Sequence, residues 1–378
     1  MINLDNNATT MPSKAAIEAV SEALKPDYGN PSSAHGAGNA SRQLIEKARL
    51  DVAELIGCEP EQLLFTGSGT EANTLALNSL AAGGTSRLVT SSIEHSSVLN
   101  HATNLAACGL DVVRAGVNSG GHVELDEIEK ALRAADRSVL SVQWVNNETG
   151  VIQSVGQLIN LARRYDALVH IDAAQAIGKI GMRVDQFEPD FLTFTAHKIN
   201  GLRGVGAIYA RDPKTIRPVR FGGTQEYGLN PGTENLVGIA SFGAAARDRL
   251  NDLPAAIEFM AHLRDMFEHY LLNECPWAQI NGSRKTRVCN TTNIRFSGID
   301  GQALMARLDV EGVCCSQSSA CTNQKPEPSY VLRAMGLSES EAYESVRFST
   351  GILNTEREIL DAAMTVARAA NKLRKLFA

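Results

Sequence analysis

Residues 191–206 read FLTFTAHKINGLRGVG: an apolar, alternating run, then Thr195-Ala196-His197, then Lys198 and a glycine-studded stretch carrying Arg203. The run is short, rich in Phe, Leu and Thr, and bounded by turn residues, so it reads as a strand. A lysine at the lip of a buried strand needs a reason, because hiding an unpaired ammonium is costly. Either it snorkels back to water or its amine is consumed in a reaction. Similar runs recur on both sides: QLLFTG (62–67), SRLVTSSIEH (86–95), SVLSVQWVNNETG (138–150), LVHIDAAQ (168–175) and GVGAIYA (204–210). Segments with helical apolar spacing accompany them, among them SKAAIEAVSEALK (13–25), SRQLIEKARLDVAELIG (41–57) and QLINLARRYD (157–166). That alternation predicts an α/β fold, a mostly parallel sheet covered by helices. In such sheets ligands bind beyond the carboxyl ends of the strands. Here those ends are polar and specific: Gly67-Ser68-Gly69-Thr70, Glu94-His95, Asn146-Asn147-Glu148, Asp172 with Gln175, and His197-Lys198.

The texture changes beyond residue 250, where LPAAIEFMAHLRDMFEHYLLNE (253–274) reads as a long amphipathic helix. NTTNIRFSG (290–298) and ESVRFSTG (344–351) read as strands, and TEREILDAAMTVARAANKLRKLF (355–377) as a closing helix. The expected organisation is a large domain over 13–248 and a smaller α+β domain formed by 1–12 and 249–378. The 378 residues suffice for two cores, and 44% apolar with 21% charged content is ordinary for a globular chain. A formal net charge of −6 gives no basic field for nucleic acid or anionic membrane. The N-terminal MINLDNNATTMPSK lacks the pattern of a secretory signal, and no apolar run approaches the ~20 residues of a membrane span. Seven cysteines, at 58, 108, 275, 289, 314, 315 and 321, show no C-x-x-C spacing. The reading is therefore no disulfide framework, no metal site and a reducing, cytoplasmic setting.

The segment LLFTGSGTEANTLALNSLAA (63–82) reads as strand, glycine-rich turn and helix. Free N–H groups at a helix N-terminus attract an anion, and glycine lets a phosphate approach the backbone. On its own the stretch is equally an ordinary tight turn, and it matches neither a Walker A sequence nor G-x-G-x-x-G. Asp172 precedes Lys198 by twenty-six residues. Alone, the carboxylate is also a plausible helix cap. A lysine, a carboxylate and a phosphate site together meet the needs of pyridoxal 5'-phosphate (PLP): an amine for a Schiff base and an anion to keep the pyridine nitrogen protonated.

Seven blocks in order carry a family resemblance: FTGSGTEAN (65–73), SSIEHSSVL (91–99), VNNETGVIQ (145–153), IDAAQAIGK (171–179), TAHKINGLRGVGAIY (195–209), GGTQEYGLNPGTEN (222–235) and SSACTNQKPEPSYVLRAMG (318–336). With LDNNATT at the start and VRFSTG near the end, nearly the whole chain resembles the cysteine desulfurases of the nitrogen-fixation and iron–sulfur-cluster type, within the class V aminotransferase superfamily of fold-type I PLP enzymes. The resemblance implies that Lys198 is the Schiff-base lysine and that Asp172 pairs with the pyridine nitrogen. It implies that Gln175 and Asn147 contact the phenolic-oxygen region, and that Gly69, Thr70, Thr195 and His197 hold the phosphate. Thr233 would reach the phosphate of a neighbouring subunit, which implies a homodimer. His95 would stack on the ring and help move protons, and Arg347 would clamp the substrate α-carboxylate as a bidentate fork.

The implied nucleophile is Cys321, in a polar stretch over about 316–328 whose prolines, Asn and Lys read as an exposed loop. It would attack the sulfur of bound L-cysteine, leave L-alanine, and carry the persulfide to an acceptor protein; a loop can do both. An ordinary thiol near ~8.5 is mostly protonated at neutral pH, so Cys321 needs local activation. Cys314 and Cys315, in EGVCCS, read as buried and inert, and the other four as structural. Two positions depart from the family pattern: Asn230 stands where an arginine is usual, and Ser318 where a glycine is usual. Both lie where entry and sulfur hand-off would be tuned, so iron–sulfur assembly, tRNA thiolation and DNA phosphorothioate modification all remain open as destinations. The competing readings are a selenocysteine lyase or other class V enzyme, and a silent desulfurase-like scaffold.

Overall fold

The computed structural model describes residues 1–25, 29–317 and 327–377. Among the described residues twelve strands are formed, in chain order β1 (Ile2–Asn3), β2 (Leu63–Thr66), β3 (Arg87–Ser91), β4 (Asp111–Ala115), β5 (Ser138–Gln143), β6 (Leu168–Asp172), β7 (Phe191–Thr195), β8 (Gly206–Ala210), β9 (Ala278–Ile280), β10 (Thr291–Phe296), β11 (Val313–Cys314) and β12 (Ser345–Ser349). Seven make the main sheet, in the order β2-β8-β7-β6-β5-β3-β4. All its pairings are parallel except those of β8, which runs antiparallel to both β2 and β7. The carboxyl ends of β2, β7, β6, β5 and β3 therefore share one edge, as the sequence reading requires.

The central strands β5, β7 and β8 are buried at every position, which explains their near-continuous apolar character. β4 escaped the sequence reading because it is an edge strand, exposed over much of DVVRA, and carries no strong alternation. Close approach shapes the β2 end of the edge. A Cβ on Gly206 would stand 2.6 Å from the Ser68 carbonyl carbon and 2.9 Å from Gly69 N, so only glycine lets β8 lie against that turn.

Two further sheets, β12-β10-β9 and β1-β11, belong to the C-terminal part, with β1 supplied by the N-terminus. The large apolar core runs from Ile45 to Cys289 around the main sheet; a separate core gathers Leu4, Leu263, Phe267, Phe296, Phe348 and Val366. One helix serves both. The helix expected over 253–274 is the second half of a longer one, Leu236–Glu274, bent at Asp252 two residues before Pro254. Ile239 and Phe242 of its first half join the first core, and Leu263, Phe267 and Leu271 of its second half join the other. Among the described residues no helix is long and apolar enough to cross a membrane.

Candidate active site

A cavity of about 310 Å³ opens at the shared strand edge. Lining it are Gly69, Thr70, His95, Asn147, Asp172, Gln175, Thr195, His197, Lys198 and Arg347, ten of the residues singled out from sequence. Lys198 lies in the 3-10 turn Ala196–Lys198 directly after β7, and its Nζ donates to the backbone oxygens of Asn7 and Ala8, the latter at 2.9 Å. The turn returns sharply because Gly201 packs on Ala196, where a Cβ would meet another at 2.8 Å. The lysine is thus held at the lip by the N-terminal segment rather than released to water.

Asp172 closes β6 and is buried. Its Oδ1 accepts from Ala174 N and its Oδ2 from Asn73 Nδ2, each at 2.9 Å. The segment after Asp172 is a run of turns rather than the helix a cap would need, so the contact to Ala174 N closes a turn, and the carboxylate faces the cavity. Asn73 extends the network: its Nδ2 donates to Ser97 Oγ at 2.9 Å, and its Oδ1 accepts from Thr193 Oγ1. His95 caps the helix Ser96–Ala107, accepting from Ser97 N at 3.1 Å on Nδ1, with Ser97 Oγ at 2.8 Å. An amide N–H can only donate, so Nδ1 is unprotonated and the neutral ring carries its proton on Nε2. Burial pushes the His95 pKa down, Asp172 acts against it and Lys198 with it, which keeps the ring neutral.

The helix Gly69–Ala81 aims its N-terminus at the cavity, with Ser68 as cap accepting from Glu71 N. The first-turn N–H groups of Gly69 and Thr70 have no intrahelical acceptor, and the helix dipole adds partial positive charge there. Thr195 donates its hydroxyl to Val205 O at 2.9 Å, which leaves its lone pairs as acceptors. His197 sits against Thr9 Oγ1, and burial with the Lys198 charge pushes its pKa down to about 3. Asn146 folds the turn after β5 by accepting from Glu148 N and Thr149 N, and this sets Asn147 on the cavity wall. Two buried polar atoms there find no partner among the described residues: Asn147 Oδ1 and Arg347 Nε. Arg347, on β12, donates to Asn147 O at 3.0 Å and to Asp5 Oδ1 at 2.5 Å.

Anion-binding N–H groups, an amine, a buried carboxylate and unsatisfied polar atoms fit the phosphate, aldehyde, pyridine nitrogen and ring substituents of PLP. Among the described residues no group of three or more His, Cys, Asp or Glu could hold a metal ion.

Thr233 alone of the described singled-out site residues lies elsewhere. Thr233 lines a neighbouring depression of about 180 Å³ with Glu71, Arg220, Glu226 and Asn230. There Asn230 donates to Phe65 O and Glu71 Oε1, both at 3.0 Å, while Arg220 pairs with the same carboxylate and reaches Asn230 Oδ1 at 2.9 Å. A guanidinium from ten residues upstream therefore attends the position where the family pattern has one in the chain itself. Cys321 and Ser318 lie outside the described residues. The chain on either side is anchored at the cavity wall. On the near side, Ser316 exchanges backbone hydrogen bonds with Arg347. On the far side, Ser329 donates to Glu148 Oε2 and Tyr330 OH to Glu94 O at 2.6 Å, next to Asn147 and His95.

Five of the other six cysteines are poor thiolates. Burial pushes Cys315 and Cys58 up to about 12 and Cys275 up to about 11, and raises Cys289 and Cys314. Cys314 and Cys315 are half-buried rather than fully buried, and Cys108 is exposed. Sequence reasoning passed over Asp5, Asn7, Asn73, Ser97 and Lys179. Asn7 and Asn73 sat inside recognised blocks, LDNNATT and FTGSGTEAN, and only their partners reveal a role.

Comparison with known proteins agrees with this geometry. The Aminotransferase class-V family model matches residues 2–361. A cysteine desulfurase of Nostoc sp. is 38% identical, covering 100% of this chain and 94% of its own length. The cysteine desulfurase IscS of Dictyoglomus turgidum is 35% identical, over 99% of this chain and 96% of its own. Among solved structures, a NIFS-like protein superposes with a TM-score of 0.91 at 32% identity, covering 98% of this chain and 100% of its own. SspA in complex with cysteine does so with 0.83 at 30% identity, over 94% of this chain and 100% of its own. The chain belongs to the class V aminotransferase family and, within it, to the cysteine desulfurases.

Proposed function

We propose that the protein converts L-cysteine to L-alanine with PLP as cofactor and leaves the sulfur as a persulfide on Cys321. The observation that carries this is the convergence on one cavity of Lys198, Asp172, His95 and a helix N-terminus, with both flanks of the Cys321 segment anchored to its wall. When bound, PLP supplies an electron sink for the amino acid's α and β carbons. Lys198 would hold it through its amine, Asp172 at the pyridine nitrogen, Gln175 and Asn147 near the phenolic oxygen, and Gly69, Thr70, Thr195 and His197 at the phosphate. Arg347 orients the substrate by its carboxylate; its Nε is free of other partners among the described residues. His95 holds and moves a proton at Nε2, because Nδ1 is committed to the helix cap.

Cys321 thiolate attacks the substrate sulfur: an S–S bond forms, the C–S bond breaks, and the electron pair stays with carbon, which takes up a proton to become the methyl group of alanine. The enzyme thiol and cysteine thus become a persulfide and alanine with no outside oxidant. The Thr233 block supports a homodimer in which it meets the partner's phosphate site. An acceptor protein consumes the persulfide, in iron–sulfur assembly, tRNA thiolation or DNA phosphorothioate modification, in a cytoplasmic setting. The two-part organisation, 13–248 against 1–12 with 249–378, is supported by the separate core around Leu4, Phe267 and Phe348 and by the helix bend at Asp252, with Met260, Val288 and Cys289 of the second part packing into the large core.

The test combines product and site. Purified protein loaded with PLP should be yellow, and borohydride should fix the cofactor to Lys198. L-cysteine should then yield alanine and one persulfide on Cys321. A reduced adduct on another lysine would overturn the assignment.

A further inference from the structure

Lys179 is a buried cation that the proposed chemistry does not use. It is 3% exposed, and the charged groups around it are Lys198, Arg249 and Arg347, with the Cys289 thiol. A lysine buried beside other cations and away from any carboxylate is expensive. Burial, then Lys198, pushes its pKa down to about 7. Gly178, at φ +64°, turns the chain so that Lys179 points back at its own turn; a Cβ there would strike Ile199 at 2.7 Å.

Its two partners are amide oxygens: Gln175 Oε1 at 2.7 Å and Asn7 Oδ1 at 3.2 Å. An ammonium has donors only, and even the neutral amine keeps two N–H groups for these two acceptors. Both amides are thereby oriented. Gln175 turns its oxygen to Lys179 and its nitrogen away, with Nε2 donating to Asn7 O at 2.9 Å. Asn7 turns its nitrogen to Asn147 O at 3.1 Å and Thr291 Oγ1 at 2.9 Å. Asn7 O in turn accepts from Lys198 Nζ.

We infer that Lys179 is a positioning residue: by holding Gln175 Oε1 it makes Gln175 present N–H, and not carbonyl, to the cavity beside Lys198. The acceptor such a hydrogen serves is an electron-rich oxygen on the ligand, the phenolic oxygen on the cofactor reading, on which this inference rests. Without Lys179 the Oε1 side of the amide loses its anchor, and the Nε2–Asn7 O bond alone opposes a reversal that would set an oxygen against an oxygen.

The experiment is a double-mutant cycle of Lys179→Met and Gln175→Leu, read by PLP affinity of the apo-protein and by the visible absorption of bound PLP. Each single variant should weaken PLP roughly tenfold, the size of one hydrogen bond to a charged group, and shift the absorption the same way. The double variant should match Gln175→Leu alone. Additive losses, or an unchanged spectrum in Lys179→Met, would overturn the inference. Gln175→Glu covers the case in which Lys179→Met does not fold. It pairs with Lys179, so it should fold well, yet it offers only acceptors and should reproduce the Gln175→Leu spectrum; wild-type colour there would overturn the inference as well. Wild-type protein that stays colourless with PLP would instead overturn the cofactor reading itself, which separates the two failures.

Discussion

Replacing Glu226 by alanine should strip the depression beside the active site of its anchor. Glu226 and Arg49 form a two-pronged ion pair, 2.8 and 3.0 Å, with side chains only 4% and 3% exposed. The same carboxylate accepts from Phe65 N at 2.8 Å, at the end of β2, and Arg49 also donates to Leu63 O and lies over the Phe65 and Tyr227 rings. Glu226 and Tyr227 both hold left-handed backbone, φ 46° and 60°, which costs an ordinary residue roughly 1–2 kcal/mol each. The pair therefore restrains a turn that would otherwise relax, seven residues before Thr233. Breaking one side of a buried pair costs about 3–5 kcal/mol, because the remaining charge stays buried. Part is offset by release of the turn and by Glu46, whose carboxylate lies 3.3 Å from Arg49 Nε and stays behind, so the expected loss is about 3 kcal/mol, at the low end of that range. The assay is guanidinium unfolding of the apo-protein, with PLP retention on dilution as a second reading. Arg49→Met combined with Glu226→Met should recover most of the stability, since no charge is then stranded. A loss under about 1 kcal/mol for Glu226→Ala, or a double variant as unstable as the sum of its singles, would refute the stranded-charge account.

Other outcomes follow from the same contacts. Cys321→Ser should keep the fold and the yellow cofactor and still bind cysteine, but alanine release and persulfide should collapse; alanine at the wild-type rate would show that the nucleophile is elsewhere. His170 is enclosed between Ser141 and Thr193, and burial pushes its pKa down to about 4, so the folded state refuses a proton the unfolded chain accepts. Its contribution is present above about 6.5 and should be lost as pH falls towards 4, by roughly 3 kcal/mol; His170→Gln should flatten that part of a stability–pH curve. Ser329→Ala removes the hydroxyl that donates to Glu148 and should cost about 1–3 kcal/mol. It should also slow persulfide formation more than cysteine binding, which stopped-flow spectra separate from product assays.

The five polar strand ends were readable because each follows an apolar run that can only be a buried strand, and a parallel sheet brings such ends together. β4 was not, since an edge strand need not be apolar. The helix over 236–252 hid behind its small residues, Gly238, Ala240, Gly243 and Ala244–Ala246, which let it lie close to its neighbours but give no amphipathic stripe; a Cβ on Gly243 would meet Ala48 at 2.5–2.6 Å. The supporting shell was least legible. Asn7 meets Lys179 across 172 positions and Arg347 meets Asp5 across 342, and no local pattern marks such pairs.

The bent helix Leu236–Glu274 has a consequence for how the molecule comes apart. Neither core is whole without it: cut at the bend, each half would carry an apolar face with nothing to cover it. Leu4, at the start of the chain, sits in the same core as the closing helix, while Thr10 bonds to His197 O beside Lys198. The molecule is thus stitched by its first residues and by one shared rod, so its two cores should melt as a single cooperative unit. Amide protons on both sides of Asp252 should then exchange with the same global free energy.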